Sequence, residues 1–160
     1  MRRTDREITD PAALLAVIDR CDVMRIGLSD GDFPYIVPVN FAWEQQGDTL
    51  VFYIHGAAAG RKYELLGKNG VCSFEMDLPG EIVPSPGGGI TTHYRSVMGT
   101  ARAEFLEGAE KVRVLNEVLM QRWPVSRGIR CGEESISHTA AVKLTVLSMT
   151  GKSNPALPRE

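Results

Sequence analysis

The sequence predicts a mainly β, α+β domain: an antiparallel barrel or sheet with peripheral helices. Two observations carry this. From Val23 onward the apolar residues recur at a period of two. The strand-like runs also follow one another directly instead of alternating with helices, which speaks against a parallel sheet. About six strands and three helices result. No internal repeat or linker divides the chain, so residues 1–160 are expected to form one domain, and domains of roughly 100–150 residues are commonest.

The elements follow in order. Asp10-Pro11 starts a helix, with Asp as N-cap and Pro at the first helical position. Leu14, Val17 and Ile18 give it an apolar stripe to about residue 20. Met24, Ile26 and Leu28 share one strand face, and Ser29-Asp30-Gly31-Asp32 makes a turn. In the next strand Tyr35, Val37, Val39, Phe41 and Trp43 alternate with Ile36, Pro38, Asn40 and Ala42. After Gln46-Gly47-Asp48, Leu50 to His55 is apolar on both faces and so predicted to be central. Gly56 to Gly60 is a small-residue loop. A short helix runs from Arg61 to about Leu66, ended by Gly67 and the 68–70 turn. Val71 to Asp77 is a fourth strand, and Leu78 to Gly89, rich in Pro and Gly, is expected to be a long loop. Thr91 to Glu107 reads as a long strand with Gly99 as a bulge candidate. Residues 109–122 form a helix with Val112, Leu115, Val118 and Leu119 buried, residues 125–138 are irregular, and Ala140 to Ser148 is the last strand. The tail, 153–160, is expected to be loose.

Composition removes several classes. An apolar fraction of 43% is too high for disorder, and the apolar runs are too short to span a membrane. The N-terminus leads into no apolar stretch, so no secretory signal is expected. A net charge of −2 speaks against a nucleic-acid binder. Cys21, Cys72 and Cys131 form no CxxC pair and no disulfide framework, which suits free thiols in a reducing cytoplasm.

Arg61-Lys62 opens a helix, where the macrodipole is already positive. A bound phosphate would reverse that cost, and Gly60 would let it approach; a solvated basic pair is the simpler alternative. Pro38 and Asn40 interrupt a strand of good strand formers, either because a planar ligand meets the backbone there or because the strand is an edge. His55 ends the central strand, as a ligand contact or a structural residue. Arg95 and Ser96, within Thr91-Thr92-His93-Tyr94-Arg95-Ser96-Val97, offer hydrogen bonds over the sheet. Gly87-Gly88-Gly89 is neither a Walker loop nor a dinucleotide fingerprint, and no metal motif is present.

Taken in order, five segments resemble the FMN-binding split-barrel family related to pyridoxamine 5′-phosphate oxidase, most closely its nitroimidazole-resistance (Nim-type) branch. They are Arg2-Arg3-Thr4-Asp5-Arg6-Glu7-Ile8, Pro34 to Phe41, His55 through Gly60-Arg61-Lys62 to Leu66, Tyr94-Arg95-Ser96-Val97 with Gly99, and Met149-Thr150-Gly151-Lys152. The resemblance covers nearly the whole chain. It implies a six-stranded split barrel and a homodimer with two FMN sites between subunits. It places the phosphate on Arg61 and Lys62 and the flavin ring and ribityl chain along Val37, Pro38, Val39, Asn40 and Phe41. Ser96 falls where the oxidase has a cofactor-contacting Gln, and His55 near the substrate side, where it could donate a proton. The implied activity is FMN-dependent reduction of a small molecule; related split barrels bind haem or the deazaflavin F420 instead. The chain departs from the oxidase at Val37 and Ala42, where the oxidase carries Arg and Lys. It also lacks a match for the oxidase's C-terminal substrate-binding Arg and Trp, which argues against vitamin B6 oxidation.

Overall fold

The computed structural model describes residues 2–157. In chain order the main elements are β1 (Glu7–Ile8), α1 (Pro11–Arg20), β2 (Val23–Asp30), β3 (Phe33–Gln46), β4 (Thr49–Ala57), α2 (Arg61–Asn69), β5 (Val71–Pro84), β6 (Ile90–Phe105), α3 (Gly108–Arg113), α4 (Glu133–Ser137) and β7 (Thr139–Asn154). Six antiparallel strands close a ring in the order β7-β4-β3-β2-β5-β6, with β6 returning to β7. The two-residue β1 adds a seventh strand outside the ring, on β7. The sheet is thus a split barrel of six strands with a short extra one, where six in all were expected.

The period-two pattern sets the inside of the barrel. Met24, Ile26 and Leu28 of β2 and Val39 and Phe41 of β3 are buried there with Phe52, Phe74, Met76 and Val97. Phe41, Phe52 and Phe74 pack edge to face, at centroid distances of 5.5 and 5.1 Å, the favoured geometry for ring quadrupoles. Val17 and Ile18 of α1 complete this core. The Asp10 carboxylate caps α1, accepting from the N–H groups of Ala12 and Ala13 at 3.0 Å each. β4 is buried on both faces, as expected. Its outward Val51 and Tyr53 pack on a second cluster around Val114, Leu115 and Leu119.

Several elements differ from expectation. α2 runs through Gly67 to Asn69 and stops at Gly70, whose φ of 66° is the left-handed turn that glycine adopts at least cost. The segment 78–89 is no long loop: β5 continues to Pro84, β6 starts at Ile90, and only 85–89 turn. Cross-strand pairing supplies what local Pro and Gly content could not indicate. The bulge near Gly99 lies on the opposite strand, where the register jumps from Ser148 to Val146 and leaves Leu147 extra. After α3 the helix widens into a π-helical segment, Val114–Leu119. That rotates the buried stripe, so Val114 and Asn116 turn inward and Val112 is exposed. Residues 133–137 are helical, and β7 extends six residues past Ser148. Ser153 and Asn154, expected in a loose tail, are strand residues, and Ser153 is buried. Residues 158–160 of that tail lie outside the described residues. Cys21 and Cys72 are free and buried, Cys131 free and half-buried.

Candidate functional site

The barrel is split between β3 and β4. The two strands pair only from Phe41↔Ile54 to Gln46↔Thr49. Beyond that point Phe33–Asn40 stays with β2, while His55–Ala57 follows β7. One edge of β3 is therefore open along Phe33–Asn40. Backbone groups alternate in direction along a strand, so part of Val37 to Asn40 presents N–H and C=O to the opening. Pro38, with no N–H, fits such an unpaired edge. The side chains of Val39 and Phe41 are buried in the core and Val37 is half-buried, so this strand offers a ligand chiefly backbone. The Asn40 amide donates to the Asp22 carbonyl at 3.0 Å and so ties β3 to the end of α1.

Across the opening, β4 leads through Gly60 into α2. Gly60 has a φ of 128° and contributes no side-chain cap. Arg61 and Lys62 meet their charge in different ways. The Arg61 guanidinium grips both oxygens of Asp30, with Nε 3.0 Å from Oδ2, and reaches Glu64 at 3.5 Å. Lys62 is half-buried, and no carboxylate pairs with it among the described residues; its ammonium lies 4.6 Å from the Tyr63 ring centroid. Burial pulls its pKa below the usual lysine value.

Tyr63 completes this corner, and His55 lies next to Gly56 along β4. Burial lowers the His55 pKa, and the Lys62 charge adds to the effect, so the imidazole is held neutral. Among the described residues its Nδ1 is buried without a partner, and so is the Tyr63 hydroxyl. Burial pushes the Tyr63 pKa up to about 12. The Tyr63 hydroxyl faces Gly56, whereas His55 pairs with Ala141 of the outer cluster and so lies on the other face of β4. A β-carbon on Gly56 would stand 2.6 Å from the Tyr63 hydroxyl and 3.4 Å from the Lys62 Nζ. Unpaired buried polar groups are costly, commonly about 1–3 kcal/mol each. The Tyr63 hydroxyl beside the desolvated Lys62 ammonium defines a polar corner suited to an anionic or hydrogen-bonding ligand.

The structure thus places Val37 to Phe41 and His55 on the two strands that part at the split, and Arg61 and Lys62 at the start of the helix that follows β4. It does not bring Ser96 there. Ser96 pairs with Asp77 and Lys152 on β6, and β2 and β5 stand between it and the open edge of β3. Tyr63 and Gly56 escaped the sequence reading. Their one signal was an aromatic residue directly after the basic pair, with a Gly at the preceding strand end. No group of three or more His, Cys, Asp or Glu residues placed to hold a metal occurs among the described residues. A second feature lies on the outer sheet face: a groove of about 550 Å³ lined by Ile36, Phe74, Met98 and Met149, with Ile36 65% and Met98 52% exposed.

A six-stranded split barrel with a basic helix start beside its open seam defines the class of this protein. A family model for pyridoxamine 5′-phosphate oxidase matches residues 10–153, and the chain belongs to that family. Among solved structures it is similar to a candidate 5-nitroimidazole antibiotic resistance protein from Bacteroides thetaiotaomicron, at 24% identity over 91% of this chain and 85% of that one, with a TM-score of 0.79. A flavocytochrome from Azotobacter vinelandii is 23% identical over 100% of this chain and 74% of its own, at 0.71. An FAD- and haem-binding protein from Mycobacterium smegmatis is 20% identical over 97% and 76%, at 0.77. No curated protein matches the chain. No helix among the described residues is long and apolar enough to cross a membrane.

Proposed function

We propose that this chain binds a flavin, FMN, in the split between β3 and β4 and reduces a small molecule there. The observation that carries this reading is the corner at Gly56, where the Tyr63 hydroxyl lacks a partner among the described residues and stands beside the Lys62 ammonium. Lys62 would meet the phosphate, and Arg61 would join it by sharing or leaving Asp30. The open edge of Val37 to Asn40 would hydrogen-bond the ring and fix its orientation. A bound flavin supplies hydride-transfer chemistry that no side chain can. His55, neutral near pH 7, would hydrogen-bond the substrate and pass a proton at an imidazole nitrogen. Ser96 would reach a cofactor only from a second subunit. The exposed groove around Ile36 and Met98 supports a homodimer, because soluble monomers rarely leave large apolar patches open and twofold dimers are the commonest assembly. Free thiols at Cys21, Cys72 and Cys131 suit the cytoplasm.

Haem is the second reading. The buried, unpartnered imidazole nitrogen of His55 has the chemistry of an iron ligand, and two structural neighbours are described as a flavocytochrome and an FAD- and haem-binding protein. The test is purification without added cofactor, then an absorbance spectrum and mass analysis of what denaturation releases. Flavin bands and an FMN mass are expected. A Soret band without flavin would replace FMN by haem, and a colourless chain that takes up neither would end both readings.

A further inference from the structure

A second cavity, of about 480 Å³, opens on the far side of β2 from the split, at the end of the barrel covered by α1. Its geometry is built by an irregularity. The β5–β6 register holds as far as Pro79↔Tyr94 and resumes at Ile82↔Thr92, so Gly80 and Glu81 oppose the single residue His93. The backbones pinch together there: a β-carbon on Gly80 would lie 2.3 Å from the His93 carbonyl oxygen. On the other side β7 ends at Asn154, and residues 155–157 turn over the cavity. They are held by the Ser153 hydroxyl, which donates to the Pro155 carbonyl at 2.6 Å, and by Leu157, which packs against the core. The Asn154 amide donates to the Thr91 hydroxyl at 3.0 Å and to the Thr92 carbonyl, which closes the wall.

The lining is sorted by chemistry. Leu78 and Leu157 give it an apolar floor. Arg20, from the end of α1, and the half-buried Arg95, from β6, supply two guanidinium groups. Among the described residues neither has an ion pair or side-chain hydrogen bond, and no Asp or Glu lines the cavity. Arg3, Arg25, Arg61, Arg113 and Arg122 each hold a carboxylate; other described arginines such as Arg102 and Arg130 do not, but Arg20 and Arg95 share one cavity. The α1 dipole favours a cation at Arg20, but no carboxylate among the described residues pairs with Arg95. Two cations sharing one cavity repel each other, and an oxyanion between them removes that cost with charge-assisted, planar hydrogen bonds.

We propose that this cavity is a second small-molecule site, which takes an oxyanion, phosphate or carboxylate, carried on a small apolar body. It needs nothing from the flavin reading, because no residue of the Gly56 corner lines it.

The test is a titration of the full chain, followed by backbone amide spectra, with phenyl phosphate, benzoate and neutral benzyl alcohol. The expected result is saturable shifts at Arg95, Ser153 and Leu157 with the two anions, and none with the alcohol. The tighter anion identifies the headgroup. Arg95→Gln and Arg20→Gln are each expected to weaken that binding about tenfold or more, while Lys62→Ala leaves it unchanged. Should Arg95→Gln fail to fold, the exposed Arg20→Gln decides alone. Equal shifts with benzyl alcohol, shifts confined to His55–Lys62, absence of saturable shifts, or unchanged affinity in Arg20→Gln would each overturn the proposal.

Discussion

The Tyr63 hydroxyl and Gly56 are fitted to each other: a β-carbon on Gly56 would stand 2.6 Å from that oxygen, closer than such contacts allow. The start of α2 and the end of β4 at Gly56 are therefore set at a distance that only glycine permits. Gly56→Ala is expected to displace Tyr63 and Lys62 together. The cost is about 1–3 kcal/mol, typical of overpacking, and flavin uptake falls with it. Chemical denaturation and a flavin titration of the same variant check both effects.

Tyr63→Phe separates packing from polarity. It keeps the ring beneath Lys62 and the edge contact with Phe105, whose centroid is 6.0 Å away. It removes a buried hydroxyl that no partner satisfies. The ligand-free variant should be as stable as the parent or more so, by up to about 1 kcal/mol, while flavin binding weakens. A clear loss of ligand-free stability in denaturant would contradict this account of the hydroxyl.

Acid should act through His55. Burial, then Lys62, lowers its pKa in the fold, so the unfolded chain binds the proton more readily. Stability from this group is present above the unfolded value of about 6.5 and is lost as pH falls from there toward the lower folded value. His55→Gln should flatten that part of the stability profile. Melting curves taken between pH 7 and 5 read the difference.

Arg113 clamps the outer layer. It donates to both Glu44 oxygens at 3.1 Å and pairs with Glu110 at 3.0 Å, while the Tyr53 hydroxyl donates to Glu44 at 3.0 Å. Arg113 lowers the Glu44 pKa, so this stability is present above the ordinary carboxylate range and is lost as pH falls through the depressed folded value. Arg113→Ala should cost about 1 kcal/mol, a charged hydrogen-bond value discounted for partial exposure. The helix after Phe105 should then loosen first, as amide hydrogen exchange would report.

Ile36→Glu places a charge in the outer groove without touching the barrel interior. If a second copy covers that face, sedimentation should show the variant as monomer and the parent as dimer, at equal thermal stability of the isolated subunit. A parent that sediments as a monomer would leave the groove without its proposed occupant.

Much of this molecule was legible in one dimension. Alternation in Met24, Ile26 and Leu28, and in Tyr35 to Trp43, fixed which faces turn inward, because a strand's side-chain period is two and a slip would bury the wrong set. The double-sided apolar run Leu50 to His55 identified the central strand, and Asp10-Pro11 the start of α1, since capping is local chemistry. The site was half legible. Arg61-Lys62 stood out by charge at a helix start, and Pro38 by its missing N–H. Which of the two cations lacks a counter-ion was not visible, because Asp30 reaches Arg61 from 31 positions away.

Local composition misled where pairing overrode it. Leu78 to Gly89 reads as a loop by its Pro and Gly content, yet most of it is ladder, since the partner strand supplies the hydrogen bonds. The sequence by itself determined the inward faces, the first helix and the family resemblance, all properties of residue type and near-neighbour spacing. Only the tertiary structure decided that β3 and β4 part after Phe41 and Ile54. It also decided that Tyr63 folds back over Gly56 and that Ser96 lies two strands away from the split. Those are distances between segments remote in sequence, and ring closure sets them, not any local preference.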